Sequence, residues 1–190
     1  MNKPIIIVSG LPRSGTSMMM KMLEAGGMKV MKDEVRRADE DNPGGYYEFE
    51  LVKKTREDPS WLENARGKGV KMVSRLLFDL PALHTYKVLF MKRKMEEILA
   101  SQQRMLERMN NSEELEVSDD VVGSLFQAHL EQIQRWMSGQ KNFEVHYVHY
   151  NELMNDPVKS LSSIRDFLAI PLDVQVMAGV LDNSLYRQRK

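Results

Sequence analysis

The 190-residue chain contains no cysteine. Disulfide bonds, cysteine nucleophiles and metal sites built from thiolates are therefore excluded. Neither sign of charge is in excess, because Lys+Arg 27 balance Asp+Glu 27 to a formal net charge of +0. A chain without net charge lacks the long-range attraction to nucleic acid or anionic membranes that a basic protein has. Any anion site must therefore be a local cluster of basic residues, and we expect neither nucleic acid nor a membrane as a partner.

Long hydrophobic runs are absent as well. No apolar stretch is long enough to span a membrane, and the short run after Lys3 leads directly into a glycine-containing loop, which is not the pattern of a signal peptide. We therefore expect a soluble, cytoplasmic protein, or a catalytic domain cut from a longer parent. The length suits a single domain over residues 1–190. The histidines show no spacing typical of metal ligands, so no metal site is expected.

Residues 4–23, PIIIVSGLPRSGTSMMMKML, are the most informative stretch of the chain. The β-branched run from Ile5 to Val8 predicts a strand buried on both faces. Met18 to Leu23 contains good helix formers and no breaker, which predicts a buried helix. The sequence GLPRSGTS lies between them. A glycine-bounded loop between a strand and a helix is typical of a phosphate loop, because backbone N–H groups and the positive end of the helix can surround an anion.

The loop differs from that of NTP-hydrolysing enzymes at one position. Such loops carry a lysine that reaches the β- and γ-phosphates, followed by a hydroxyl residue that holds Mg²⁺. Here Ser17 supplies the hydroxyl, but Thr16 stands where the lysine belongs, and the cation is Arg13 inside the loop. This substitution argues against ATP or GTP hydrolysis. It favours an anion whose transferable group lies beside Arg13.

The rest of the chain alternates between predicted strands and helices. Alternation of this kind predicts an α/β fold in which helices cover both faces of a parallel sheet, a three-layer sandwich. The segment at 86–91 is predicted to be the central strand. Further strands are predicted at 28–31, 70–74 and 143–150, short helices at 49–56 and 60–65, and long helices at 94–110, at 118–138 and from residue 157.

Ligands of such sheets bind at the carboxyl ends of the strands. The glycine loop, Ser74 and Arg93 all fall at those ends, so we expect them to converge on one site. Arg93 can hold a phosphate through two hydrogen bonds. Ser101 follows eight residues later in the next helix, where its hydroxyl can contact the same group.

These motifs resemble those of the sulfotransferase family, whose donor is 3′-phosphoadenosine 5′-phosphosulfate (PAPS). GLPRSGTS is similar to the family's 5′-phosphosulfate loop, and the pair in MKRKMEEILAS is similar to the arginine and serine that hold the 3′-phosphate. NPGGYYE and VKMVSRLLFDLP resemble segments of small bacterial sulfotransferases. YNELMNDP followed by FLAIPLD resembles a C-terminal segment with a structural role in the family.

The resemblance implies a sulfotransferase-like fold and sulfuryl transfer from PAPS to a hydroxyl or amine. The acceptor it implies is a small molecule or a glycan, and the product of the donor is 3′-phosphoadenosine 5′-phosphate (PAP). Donor contacts are then expected from the loop and from the strand-end arginine with its serine: Leu11, Pro12, Arg13, Ser14, Gly15, Thr16, Ser17, Arg93 and Ser101.

Sulfuryl transfer requires two charge-stabilising groups and a base. Arg13 can stabilise the leaving phosphate, and Lys71 or Ser17 can neutralise the sulfate oxygens. Cytosolic sulfotransferases carry a histidine two residues after a lysine that Lys71 resembles, but Val73 occupies that position here. Our candidate for the base is Glu48, which ends the long polar loop 33–48 beside two tyrosines. An ordinary structural carboxylate is the alternative interpretation of this residue.

Two other functions remain open from the sequence. One is a small-molecule or nucleotide kinase of the same phosphate-loop superfamily, which predicts dependence on ATP and Mg²⁺. The other is a non-catalytic protein that binds an adenine nucleotide, an interpretation that Val73 in the histidine position supports. Binding of PAP rather than ATP or AMP distinguishes these alternatives.

Overall fold

The computed structural model describes residues 3–33, 45–108 and 118–181. Most of the predicted polar loop 33–48, the acidic segment at 110–117 and the basic residues at 186–190 lie outside these ranges. The strands are β1 Ile5–Gly10, β2 Val30–Met31, β3 Gly69–Val73, β4 Tyr86–Lys92 and β5 Phe143–His149. The α-helices are α1 Thr16–Ala25, α2 Met95–Arg108, α3 Asp119–Ser138, α4 Tyr150–Asn155, α5 Pro157–Leu168 and α6 Val174–Gly179.

The strands form one parallel sheet in the order β2-β3-β1-β4-β5. The predicted α/β fold is therefore confirmed. The central strand is β1 rather than the predicted β4, which lies beside it. Every residue of β1 is buried, and so are five of the seven residues of β4, all except Lys87 and Lys92. Two strands with such similar burial cannot be ordered from their hydrophobicity alone.

Alternate residues of β1 enter two separate cores, one on each face of the sheet. Ile6 and Val8 pack with α1, α5 and α6, whereas Ile5 and Ile7 pack with α3 and the short helices. This arrangement is the predicted three-layer sandwich. The predicted short helices are 3₁₀ helices, at Glu50–Lys54 and Ser60–Ala65, and a third, Ser74–Asp79, directly follows β3.

The apolar stripe of α3 is buried over only part of the helix. Ile133 and Met137 are buried against the sheet, but Leu125 is 64% exposed. The C-terminal half of α3 lies on the sheet, whereas the N-terminal half has α2 as its neighbour, so the stripe has less to pack against there. Within the described residues, no helix is both long and apolar enough to cross a membrane.

Candidate functional site

The glycine loop connects the carboxyl end of β1 to α1 and is closely packed. Gly10 and Gly15 have positive φ values of 151° and 97°, and Arg13 between them has φ 67°. A Cβ atom on Gly15 would lie 2.7 Å from the Tyr150 ring, and one on Gly10 would lie 2.8 Å from the Met91 carbonyl oxygen. Both glycines are therefore required by conformation and by space.

The first turn of α1 points its backbone N–H groups into this loop. Gly15 is the N-cap residue, and no side chain caps the helix in the part of the chain that the structure describes. The first N–H groups of a helix have no partner within the helix and form an anion site. Ser14 is buried, and its hydroxyl donates to the Leu11 carbonyl oxygen at 2.7 Å, so this side chain shapes the loop.

Arg13, Arg93 and Ser101 meet beside the loop, although they are far apart in the sequence. The Arg13 Nε donates to Ser101 Oγ at 2.9 Å, and the Arg93 Nη1 donates to the Arg13 carbonyl oxygen at 3.0 Å. The expected convergence is thus present, with one difference in pairing. The described hydrogen bond of Ser101 joins it to the loop arginine and not to the strand-end arginine.

Three further residues surround Arg93, and the sequence interpretation did not include them. Arg93 Nε donates to Glu97 Oε2 at 2.7 Å, and Glu97 Oε1 accepts from Asn151 Nδ2 at 2.7 Å. The Arg93 guanidinium lies 4.3 Å from the centroid of the Tyr150 ring. Glu97 follows Arg93 by four residues, a spacing typical of ion pairs near the start of a helix. This four-residue spacing is the sequence feature that could have indicated the Arg93–Glu97 pair.

Lys71, Ser17 and Glu48 form a second cluster on the α1 side of β3. The Lys71 Nζ donates to Ser17 Oγ at 3.3 Å and to the Tyr46 carbonyl oxygen, which also accepts from Ser17 Oγ at 3.2 Å. The Glu48 Oε1 lies 3.9 Å from Lys71 Nζ, and both side chains are largely buried. The fold therefore brings together the three residues that sequence reasoning assigned to sulfate stabilisation and to proton transfer.

The segment that carries Tyr46 and Glu48 is anchored to α1 by the intervening tyrosine. Tyr47 has a left-handed backbone with φ 53°, and its hydroxyl donates to Glu24 Oε2 at 2.6 Å. Lys32 Nζ donates to the same carboxylate at 2.7 Å and lies 4.7 Å from the centroid of the Tyr47 ring. Burial opposes ionisation of Glu24, but the hydrogen bonds from Lys32 and Tyr47 outweigh it and lower the pKa of this carboxyl. Burial, together with the adjacent carboxylate, raises the pKa of Tyr47.

Replacing Tyr47 with Phe removes the hydroxyl of this anchor. We expect the free energy of unfolding to fall by about 1 kcal/mol, because Glu24 is partly exposed and keeps Lys32 as a partner. Urea denaturation followed by circular dichroism measures the change. An unchanged unfolding midpoint shows that the Tyr47–Glu24 hydrogen bond does not hold the segment in solution.

Ser74 and His129 form a polar pair at the carboxyl end of β3. Ser74 is buried, and its Oγ lies 2.8 Å from His129 Nε2 on α3. His129 also packs edge to face against the Phe78 ring, with ring centroids 6.4 Å apart. Burial, and then the charge of Arg75, lower the pKa of His129, so the ring is neutral near pH 7. Because 55 residues separate Ser74 from His129, no local sequence pattern indicates this contact.

The family can be assigned once this geometry is in place. A sequence profile of the sulfotransferase domain matches residues 3–190, nearly the entire chain. The chain belongs to the sulfotransferase family. The match spans both the glycine loop and the segment with Arg93 and Ser101. A comparison with curated protein sequences finds no match.

Solved sulfotransferase structures share the fold at low sequence identity. The sulfotransferase domain of the curacin biosynthetic pathway has a TM-score of 0.60 at 19% identity, covering 96% of this chain and 79% of that chain. The sulfotransferase domain of the Synechococcus PCC 7002 olefin synthase has a TM-score of 0.57 at 17% identity, covering 100% and 85%. Sulfotransferase STF1 of Mycobacterium tuberculosis H37Rv has a TM-score of 0.63 at 16% identity, covering 100% and 74%. These identities support a common fold and nothing finer.

Membership of the family identifies the chain as a transferase of the sulfotransferase type. The residues that sequence reasoning selected lie at one edge of the sheet, in two clusters around the glycine loop. Among the residues that the structure describes, no group of three or more His, Asp or Glu side chains could hold a metal ion.

Proposed function

We propose that the protein transfers a sulfuryl group from PAPS to a hydroxyl or amine of a small-molecule or glycan acceptor. One observation carries the proposal: Arg13, Ser101 and Arg93 meet beside a glycine loop that opens a helix. A nucleotide with phosphates at both its 3′ and 5′ positions requires two separate anion contacts. This arrangement supplies cationic and hydroxyl donors beyond the loop itself.

The loop and the strand-end arginine divide the donor between them. Loop amides, with the side chain of Arg13, hold the 5′-phosphosulfate, because the first N–H groups of α1 are aimed at that position. Arg93 and Ser101 hold the 3′-phosphate. This division assigns donor contacts to Leu11, Pro12, Arg13, Ser14, Gly15, Thr16 and Ser17, with Ser14 contributing through the loop shape that its hydroxyl maintains.

The reaction moves one sulfuryl group and one proton. The acceptor oxygen or nitrogen attacks sulfur, the bond between sulfur and the phosphate oxygen breaks, and PAP leaves with the bonding electrons. Arg13 stabilises the negative charge that develops on the leaving phosphate, while Lys71 and Ser17 stabilise the sulfuryl oxygens. Glu48 takes the proton of the acceptor, and its 3.9 Å separation from Lys71 Nζ keeps base and cation in one cluster.

A kinase of the same superfamily is the alternative activity. It predicts that ATP binds with Mg²⁺ at the loop, but Thr16 occupies the position of the lysine that reaches the terminal phosphates. A protein that binds the nucleotide without catalysis is the other alternative. The cluster of Lys71, Ser17 and Glu48 favours catalysis, because nucleotide binding alone has no need of a carboxylate beside the sulfate-stabilising cation.

Binding of nucleotides to the purified protein tests the proposal. PAP is expected to bind at least roughly tenfold more tightly than AMP, the size of one charge-assisted hydrogen-bond contact to the 3′-phosphate. Isothermal titration calorimetry with PAP, AMP and ATP, with and without Mg²⁺, measures the difference. In Arg93→Ala, PAP and AMP should bind equally.

Equal binding of PAP and AMP by the unmodified protein contradicts the proposed donor site. Preference for ATP with Mg²⁺ supports the kinase instead. PAP binding without turnover of phenols, sugars or amines in the presence of PAPS supports the non-catalytic alternative.

A further inference from the structure

A buried carboxylate lies directly behind the arginine of the donor site. The Glu97 side chain is 1% exposed and that of Arg93 is 9% exposed, so their 2.7 Å ion pair is removed from water. Both carboxylate oxygens accept hydrogen bonds, Oε2 from Arg93 Nε and Oε1 from Asn151 Nδ2. Glu97 therefore connects α2 both to the first turn of α4 and to the guanidinium that follows β4.

Arg93 is held on three sides by these contacts. Glu97 accepts a hydrogen bond from its Nε, and the Arg13 carbonyl oxygen accepts one from its Nη1. The centroid of the Tyr150 ring lies 4.3 Å from the guanidinium. The Nη2 group has no hydrogen-bond partner within the described ranges. The guanidinium is thus fixed by the contacts of Nε and Nη1, and its Nη2 group can donate to an anion.

The energetics of a buried ion pair point to orientation rather than stability as its role. Removing two charges from water costs several kcal/mol per ion, and their attraction roughly repays that cost, so a buried pair adds little net stability. An arginine that must meet a phosphate with two hydrogen bonds loses affinity if it samples other orientations. Fixing Arg93 before the nucleotide binds removes that loss.

We propose that Glu97 is a positioning residue for the 3′-phosphate and that Asn151 supports it. Glu97 sets the rotation of the Arg93 guanidinium, and Asn151 holds the Glu97 carboxylate from the opposite side. This inference rests on the proposed function, since it assigns to Arg93 the 3′-phosphate of PAPS. It gives α4 a part in donor selectivity, because Tyr150 and Asn151 open that helix.

Tyr150 also reaches the glycine loop. Tyr150 lies against Arg93 with its ring, and its ring carbons occupy the space that a side chain at Gly15 would need. The segment YNELMNDP was expected to be structural. Its first residue also lies between the glycine loop and Arg93, and its second holds Glu97.

The experiment compares PAP with AMP, which differ by the 3′-phosphate alone. Dissociation constants are measured by isothermal titration calorimetry for the unmodified protein, Glu97→Gln, Asn151→Ala and the control Glu96→Gln. Glu97→Gln keeps the shape but loses the negative charge and one of the two oxygen acceptors that face Arg93 and Asn151, so we expect PAP to bind roughly tenfold more weakly while AMP changes less than about twofold. Asn151→Ala should weaken PAP about threefold, because Arg93 keeps its own bond to Glu97.

Glu96 provides a matched control. It is the preceding residue on the same first turn of α2, it is exposed, and its replacement by Gln changes the charge equally. Glu96→Gln should leave both dissociation constants unchanged. A shared loss of PAP affinity in Glu96→Gln and Glu97→Gln indicates a general charge effect and overturns the proposal.

Two other results overturn it. If Glu97→Gln keeps the preference of the unmodified protein for PAP over AMP, Glu97 does not act through Arg93 on the 3′-phosphate. If the variant binds PAP more tightly, Glu97 weakens Arg93 by neutralising it rather than orienting it. Should Glu97→Gln fail to fold, Asn151→Ala gives the decision through the same PAP-to-AMP ratio. Failure of the proposed function gives a different result from failure of this inference, because the unmodified protein itself then shows no preference for PAP over AMP.

Discussion

Glu48→Gln is expected to lower kcat by about 100- to 10,000-fold while PAP binding is preserved, the range typical for loss of a general base. The carboxylate of Glu48 lies 3.9 Å from Lys71 Nζ, beside the cation that meets the sulfuryl oxygens. Glutamine has nearly the same size but cannot accept the proton. The measurement is the turnover of the best acceptor from a screen of phenols, sugars and amines with PAPS, with PAP affinity determined in parallel.

Glu50→Gln is a matched control for this change. Glu50 lies two residues further along, is more exposed, and pairs with Lys53 at 2.6 Å. It should retain full turnover. If Glu48→Gln keeps the turnover of the unmodified protein, Glu48 is not the general base.

His129 is the next residue to replace if Glu48 is not the base. Its imidazole lies 2.8 Å from Ser74 at the carboxyl end of β3, and its lowered pKa, which burial causes first, leaves the ring able to accept a proton near pH 7. If His129→Gln loses turnover while Glu48→Gln retains it, the base is His129, on the α3 side of β3.

The part of the site that could be predicted is the part encoded locally. A buried strand, a glycine-bounded loop and a helix follow one another without interruption in residues 4–23, so their order fixes the position of the loop. Strand ends also define the edge at which Arg93 and Lys71 must appear. Both facts follow from the sequence pattern because neither depends on which helices pack against one another.

The unpredicted contacts depend on the rotation and packing of helices. An eight-residue spacing suggested that Ser101 and Arg93 share one target, but Ser101 lies more than one turn into α2, where the left-handed backbone at Arg13 brings the loop arginine within 2.9 Å. The Glu97–Asn151 bond joins residues 54 positions apart. Amphipathic periodicity locates the buried face of a helix, but it does not identify the polar atoms that this face will meet.

Lys71→Met is expected to lower kcat by about 100- to 1,000-fold, as loss of a charge-stabilising donor does in other acyl- and phosphoryl-type transfers. Lys71 Nζ donates to Ser17 Oγ at 3.3 Å at the first turn of α1, so its positive charge lies where the sulfuryl oxygens are expected. Lys71 is expected to contact those oxygens more closely in the transition state than in the bound donor. The loss should therefore appear chiefly in kcat, with PAP binding reduced less than about tenfold, because PAP carries no sulfuryl group.

Lys87→Met separates this effect from a loss of stability. Lys87 is also a largely buried strand lysine, but it lies near the beginning of β4, where its Nζ donates to the Phe167 carbonyl oxygen at 2.6 Å. Because β4 is parallel to β3, this position is at the edge of the sheet opposite the glycine loop. The variant should unfold more easily yet retain kcat at a temperature where it is folded. An equal fall of kcat in both variants shows that Lys71 acts through the fold, whereas a fall in Lys71→Met alone places its charge in the transfer step.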